Sequence, residues 1–260
     1  MMNGQFNRLG ISCPSNYLTI NQGEFVGIAA FVLHTRPWRD TSLMVDWLTL
    51  DHGWITTVQR GARQIGKKSP PRPMAFHPLT LHLVGRGALK TATQIEPLSR
   101  PHWLKGQALA VGFYLNELLL RALHREAPVP ELFYSYAQTL EALTQPAVEF
   151  GGLIRRFERA LLDELGVGID WQATADSGEA ILLDQLYTLD AEVGILRNNT
   201  GKFSVTGRVL HAIAEHLPLE TAQDRRSARD VMHYLLRPHV GSAVFHSRAL
   251  WQSGTPPEGA

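Results

Sequence analysis

Gly61, Ala62, Arg63, Gln64, Ile65, Gly66 and Lys67 reproduce the spacing GxxxxGK, in which the amides of a glycine-rich turn cradle a nucleotide phosphate and a lysine reaches it. Two further parts are needed for that chemistry. A Ser or Thr must follow the lysine to hold magnesium, and a helix must start there with its free amides facing the phosphates. Lys68 stands in the hydroxyl position, and Pro70, Pro71 and Pro73 follow at once. Proline lacks the N–H and fits badly inside a helix, so ATP binding is rejected.

Other bond-making chemistry lacks raw material. No GxSxG elbow or HExxH zinc helix occurs, and the 11 histidines are scattered rather than set at ligand spacing. The single cysteine, Cys13, permits no internal disulfide and supplies at most one thiolate to a metal. Between Val26 and Trp103 the carboxylates are only Asp40, Asp46, Asp51 and Glu96, a poor supply for paired acid–base work. The expectation is a protein that is not an enzyme, with no cofactor and no metal.

Cations with interleaved aromatics remain. Arg36 and Arg39 flank Trp38, and Arg60, Arg63, Lys67, Lys68 and Arg72 follow within a short span. Cations neutralise phosphates while an aromatic ring stacks on bases, a mixture suited to single-stranded nucleic acid. The same residues also fit a Trp38 packed in the core beside a solvated basic loop. Further on, GLIRRFERALLDELG places Leu153, Phe157, Ala160, Leu161 and Leu165 on one helical stripe with Arg155, Arg156 and Arg159 around it. Arg159 lies four residues from Asp163, the spacing of an ordinary helix-surface pair, whereas Arg155 and Arg156 have weaker local explanations. An exposed arginine pair beside apolar groups suits an acidic, hydrophobic peptide tail.

These residues need elements to hold them. From Val26 the apolar period is two: GIAAFVLHTRPW, SLMVDWLTL with Leu43, Val45 and Trp47 on one face, WITTVQRG, LTLHLV and ALKTATQI read as five strands. Between the third and fourth, GARQIGKKSPPRPMAFHP carries four prolines and forms a long basic loop. Five short strands with such a loop predict a small closed barrel of the OB type. Beyond Pro101 the period becomes helical, with helices expected near 105–125, 131–144, 147–166, 206–216 and 224–236. The stretch from Gly166 to Arg197 is ambiguous between strands and loop anchors. The fold class is thus α+β, an OB-fold barrel followed by a mainly α-helical domain. Its expected divisions are a loose extension over 1–25, the barrel over 26–103, helices over 104–252 and a disordered tail over 253–260.

The charge is distributed to match. The 260 residues carry a net charge of +1, but Val26 to Trp103 holds ten Lys or Arg against four Asp or Glu, and the remainder to Ala260 fourteen against nineteen. A basic front half on an acidic back half is the pattern of a polyanion-binding module carried by a scaffold. The longest apolar run, GQALAVGFYLNELLLRAL, is broken by Asn116 and Glu117 and falls short of the roughly 20 residues of a membrane span. With one cysteine and no secretion signal, a reducing cytoplasmic setting is expected.

The order of these pieces resembles the RecO family of bacterial recombination mediators. AFVLHTRPWRDTSLMVDWLTLDHGWITTVQRGAR is similar to that family's opening barrel in its Arg36-Pro37 turn, its Asp40-Thr41-Ser42 step and its Arg60-Gly61-Ala62-Arg63 exit. FHPLTLHLVGRGALKTATQIE, GFYLNELLLRAL, LIRRFERALLDELGVG and RRSARDVMHYLLRPHVGSAVFHSRAL follow in matching order, so the likeness runs over roughly residues 26 to 251. The resemblance implies binding of single- and double-stranded DNA, annealing of complementary strands and help in loading recombinase onto strands coated by single-strand-binding protein (SSB). The implied partners are RecR and the acidic C-terminal tail of SSB, and the implied place is the bacterial cytoplasm, at the nucleoid. It gives the barrel cations to DNA and assigns Arg155 and Arg156, in the RRFE segment, to the tail. Two departures stand out. The four-cysteine zinc site that many family members carry has no cysteines here, and His246 stands where relatives tend to have the lysine of a Lys-Ser-Arg step whose Ser247 and Arg248 remain. The alternatives are an RNA-reading OB-fold protein and an adaptor that binds only proteins.

Overall fold

The computed structural model describes residues 24–64, 70–85, 87, 89–197 and 203–247. The expected extension lies almost wholly outside these residues, and the tail over 253–260 entirely so. Two compact units divide the chain: the residues up to Leu104 with Leu115–Thr144, and Lys105–Tyr114 with those from Gln145 onward. The strands of the barrel end before Trp103, but their unit therefore also takes in later helical residues.

In the first unit β1 (Glu24–Trp38), β2 (Ser42–Thr49), β3 (Gly53–Gln59), β4 (Leu79–Val84) and β5 (Lys90–Pro97) close a barrel in the order β1-β2-β3-β5-β4. β1 begins two residues before Val26 and is long enough to serve two partners, β4 with its first half and β2 with its second. Bulges at Phe25/Ile28 and Val32/His34 bend it between them. Gly27, at the first bulge, takes φ +75°, a conformation open to glycine at little cost. The barrel is filled by Val32, Val45, Trp47, Ile55, Leu81 and their neighbours, with Leu43 packed against them, so the expected face of β2 is the core face. Inside, Trp47 Nε1 donates to Thr57 Oγ1 at 2.8 Å.

The outward face of β1 and β2 is covered at one end by helix. Phe31 packs 5.4 Å from Phe133 and 5.2 Å from Tyr136, both on α2 (Pro130–Ala142). Asn116, on α1 (Gly106–Ala122), donates to the carbonyls of Val32 and Leu33 and accepts from the Tyr136 hydroxyl at 2.5 Å. The bulge exposes those carbonyls to a buried amide, which satisfies them.

The second unit holds α3 (Phe150–Glu164), α4 (Gly207–Ala214) and α5 (Ala222–Val240). The ambiguous stretch contributes β6 (Leu186–Asp190) and β7 (Gly194–Leu196), which join β8 (Ser204–Thr206) in a small sheet of order β7-β6-β8. α3 starts later than the periodicity suggests because Glu149 caps it, accepting from the amides of Gly151 and Gly152. α5 runs past its expected end at 236, carrying Pro238 in its last turn, where little remains to be broken.

Candidate nucleic-acid interface

Asp46 sits at the middle of β2, opposite His34 of β1 and Thr56 of β3, on the face turned away from the barrel core. A carboxylate buried this deeply needs partners. Arg36 Nη1 donates to its Oδ2 at 2.8 Å, the Thr56 hydroxyl donates to Oδ1, and Trp54 Nε1 approaches Oδ1 at 3.4 Å. Arg125, just beyond α1, brings Nη2 to 3.9 Å from Oδ1, donates through Nη1 to Thr56 Oγ1, and lies 4.3 Å over the Trp54 ring. His34 Nδ1 stands 3.9 Å from Oδ2. One buried acid thus orients two arginines beside an aromatic ring.

Arg36 is one of the cations singled out in the sequence, and the next ones lie further along the same strand. Trp38 follows two residues later on the same face, half-buried, so it is not part of the barrel interior. The guanidinium of Arg39 is 5.9 Å from its ring centre, with Arg39 at φ +51° in the turn to β2. Arg63 docks on this turn: its amide donates to Thr41 O at 2.8 Å and its Nη1 to Arg39 O at 3.1 Å. Arg36, Trp38, Arg39 and Arg63 are therefore neighbours, with Arg39 and Arg63 exposed.

Arg60 and Arg72 are placed differently. Arg60 is exposed at a cleft beyond the short β3–β5 pairing, lined also by Gln59, Pro71, Thr91 and Gln94. Arg72 is exposed but tied back through Nε to Ala62 O at 2.9 Å. Lys67 and Lys68 lie outside the described residues. Residues 70–78, on the far side of that gap, form no helix, so they lack the helix a phosphate loop requires.

In the second unit the two adjacent arginines part company. Arg155 is 13% exposed and turned inward to Glu158, itself 3% exposed: Nη2 donates to Oε1 at 3.2 Å, and Nε lies 2.8 Å from Oε2, close in charge but without hydrogen-bond alignment. The Tyr114 hydroxyl donates to the same Oε1 at 2.5 Å. Burial pushes the Glu158 carboxyl up, against the opposing pull of Arg155 and Tyr114. Arg156 is exposed. Arg159 departs from its expected pairing with Asp163, donating instead to the carbonyls of Ile213 and Ala214 at the end of α4. Those terminal carbonyls lack helical partners and attract a cation. Burial, then Arg159 and Arg156, hold the His216 imidazole below its usual value, which places Arg156 in the same cationic neighbourhood.

Among the described residues no group of three or more His, Cys, Asp or Glu converges as a metal site, and no helix is long and apolar enough to cross a membrane.

The N-terminal family model of recombination protein O matches residues 25–100, and the C-terminal model matches residues 104–249. The chain belongs to the RecO family. It is 37% identical over 237 residues to the DNA repair protein RecO of Marinobacter nauticus, covering 88% of this chain and 95% of the relative. The RecO proteins of Photobacterium profundum and Serratia proteamaculans are each 37% identical as well, over 222 and 224 residues, covering 85% and 86% of this chain and 93% and 92% of theirs. The five-stranded barrel with its helices is the α+β fold expected of a RecO protein.

Sequence reasoning missed Asp46, Trp54, Arg125 and His34 as parts of the RecO barrel's outer face. Thr56 and Arg125 meet across 69 residues of chain. One local signal was present: an acid in the centre of a strand otherwise rich in apolar residues calls for partners. At the altered C-terminal step His246 is exposed and Ser247 buried, while Arg248 lies outside the described residues.

Proposed function

We propose that this RecO-family protein works in DNA repair and recombination as a mediator without bond chemistry of its own. The barrel over 26–103 binds single- and double-stranded DNA, and the helical part over 104–252 receives the acidic C-terminal tail of SSB and, with RecR, brings the protein to its substrate in the bacterial cytoplasm at the nucleoid. The observation that carries this reading is the run of exposed or half-exposed cations, Arg36, Arg39 and Arg63, gathered around Trp38 on a closed barrel that matches the family's N-terminal model. Cations there lower the repulsion between two phosphate backbones, and Trp38 offers a face for bases. Annealing follows from proximity, and recombinase loading from delivery to coated strands. Of the two adjacent arginines, exposed Arg156 meets the tail, while Arg155 shapes the helix beneath it.

Salt titration of binding to matched single-stranded DNA, duplex DNA and RNA tests the first step. The expected result is binding to both DNA forms that weakens with salt, with a log–log slope of about −0.7 per phosphate neutralised on single strands. A flat salt dependence, or a marked preference for RNA over matched DNA, contradicts it.

A further inference from the structure

We infer that Arg36, hydrogen-bonded to Asp46, and Arg125, with its Nη2 3.9 Å from the other oxygen of that carboxylate, form a clamp for a backbone phosphodiester at the edge of the barrel. This rests on the DNA-binding reading above and gives it one defined subsite, to which the residues after α1 contribute as much as the strands do.

Asp46 is 2% exposed, whereas Arg36, Arg125 and His34 are 43%, 51% and 53% exposed. The acid is sealed and the cations face water. Each guanidinium carries five N–H donors in a fixed fork. Among the described residues Arg36 spends one on Asp46 and one on the Met44 sulfur, and Arg125 spends one on Thr56. The remaining donors are available to an anion, and two guanidiniums against one carboxylate leave the cluster net positive.

Orientation is what separates this pair from loose surface arginines. A long side chain pays rotamer entropy when it is fixed on a ligand. Arg36 and Arg125 have already been fixed, one by Asp46 and Met44, the other by Thr56 and by stacking on Trp54. A planar fork suits the two free oxygens of a phosphodiester better than a point charge does. The clamp also continues into the cationic run already described, since Arg36 and Trp38 are alternate residues of one strand, spaced by roughly 6.6 Å. A strand passing Trp38 and Arg39 meets Arg36 next and Arg125 beyond the shared acid.

The test measures fluorescence anisotropy of a labelled single-stranded oligothymidylate with the full chain, between about 50 and 200 mM salt. Arg125→Gln is expected to weaken binding about tenfold and to reduce the salt slope by about 0.7, one phosphate contact. Arg125→Lys keeps the charge and loses the fork, so the slope stays and affinity falls about threefold. Asp46→Asn raises the net charge by one, yet binding is expected to loosen because Arg36 loses its charged anchor and Arg125 the nearby carboxylate. Thermal unfolding of each variant is followed in parallel. Binding and slope unchanged in Arg125→Gln, or lost stability without a change in slope, overturns the clamp. So does tighter binding by Asp46→Asn. An acidic peptide of matched charge that binds with the same dependence on Arg125 overturns the assignment to a phosphodiester. Wild-type protein that binds no DNA at low salt overturns instead the reading on which the clamp rests.

Discussion

Arg155 Nη2 donates to Glu158 Oε1 at 3.2 Å, and that contact divides two arginines that stand side by side in the sequence. Arg155 is spent inside the unit, while Arg156 faces outward. The two substitutions should therefore separate. Arg156→Glu is expected to weaken binding of a peptide with the acidic SSB tail sequence at least about tenfold, with unfolding unchanged. Arg155→Ala leaves Glu158 buried without its cation and should cost about 3 kcal/mol of stability in urea unfolding. Equal loss of peptide binding in both variants without destabilisation contradicts this division.

Glu158 also gives the second unit a pH dependence with a definite sign. Burial lifts its folded-state value above the ordinary carboxyl range, so the folded chain holds the proton more tightly than the unfolded chain. That contribution is fully present below the unfolded value, about 4.3, and is lost as pH rises through the raised folded value. Glu158→Gln should flatten stability against pH across this window in urea unfolding. An unchanged slope in the variant would show that another group governs it.

Gly53 opens β3 at φ +61°, and a Cβ there would lie 1.7 Å from the carbonyl oxygen of Ala127. Backbone meets backbone, so no side chain can yield. Gly53→Ala is expected to cost more than about 3 kcal/mol, read by thermal and urea unfolding. Stability within about 0.5 kcal/mol of wild type would mean that the strand and the 127 segment do not touch.

The barrel was legible because Leu43, Val45 and Trp47 recur at every second position of a β-rich run, and those positions are the ones that fall on the core face. The helices were legible by their stripe, and their ends shifted where caps such as Glu149 decide them. β6, β7 and β8 were not, since strands of five, three and three residues are too short to establish a period. Of the candidate site, the cations around Trp38 could be named from their clustering. The hub at Asp46 could not, because Arg125 reaches it only after the barrel has closed and a helix has returned the chain. Nor does spacing distinguish Arg155 from Arg156. That difference depends on Glu158 and Tyr114, the latter more than forty positions away.

The proposed joining of DNA strands without bond chemistry can be measured as the rate at which complementary single strands, both coated with SSB, anneal on addition of this protein without ATP. Faster annealing is expected, and it should be lost on charge reversal of Arg63, Lys67 and Lys68 together. No acceleration at any salt concentration would contradict it and leave a protein-binding adaptor as the better description.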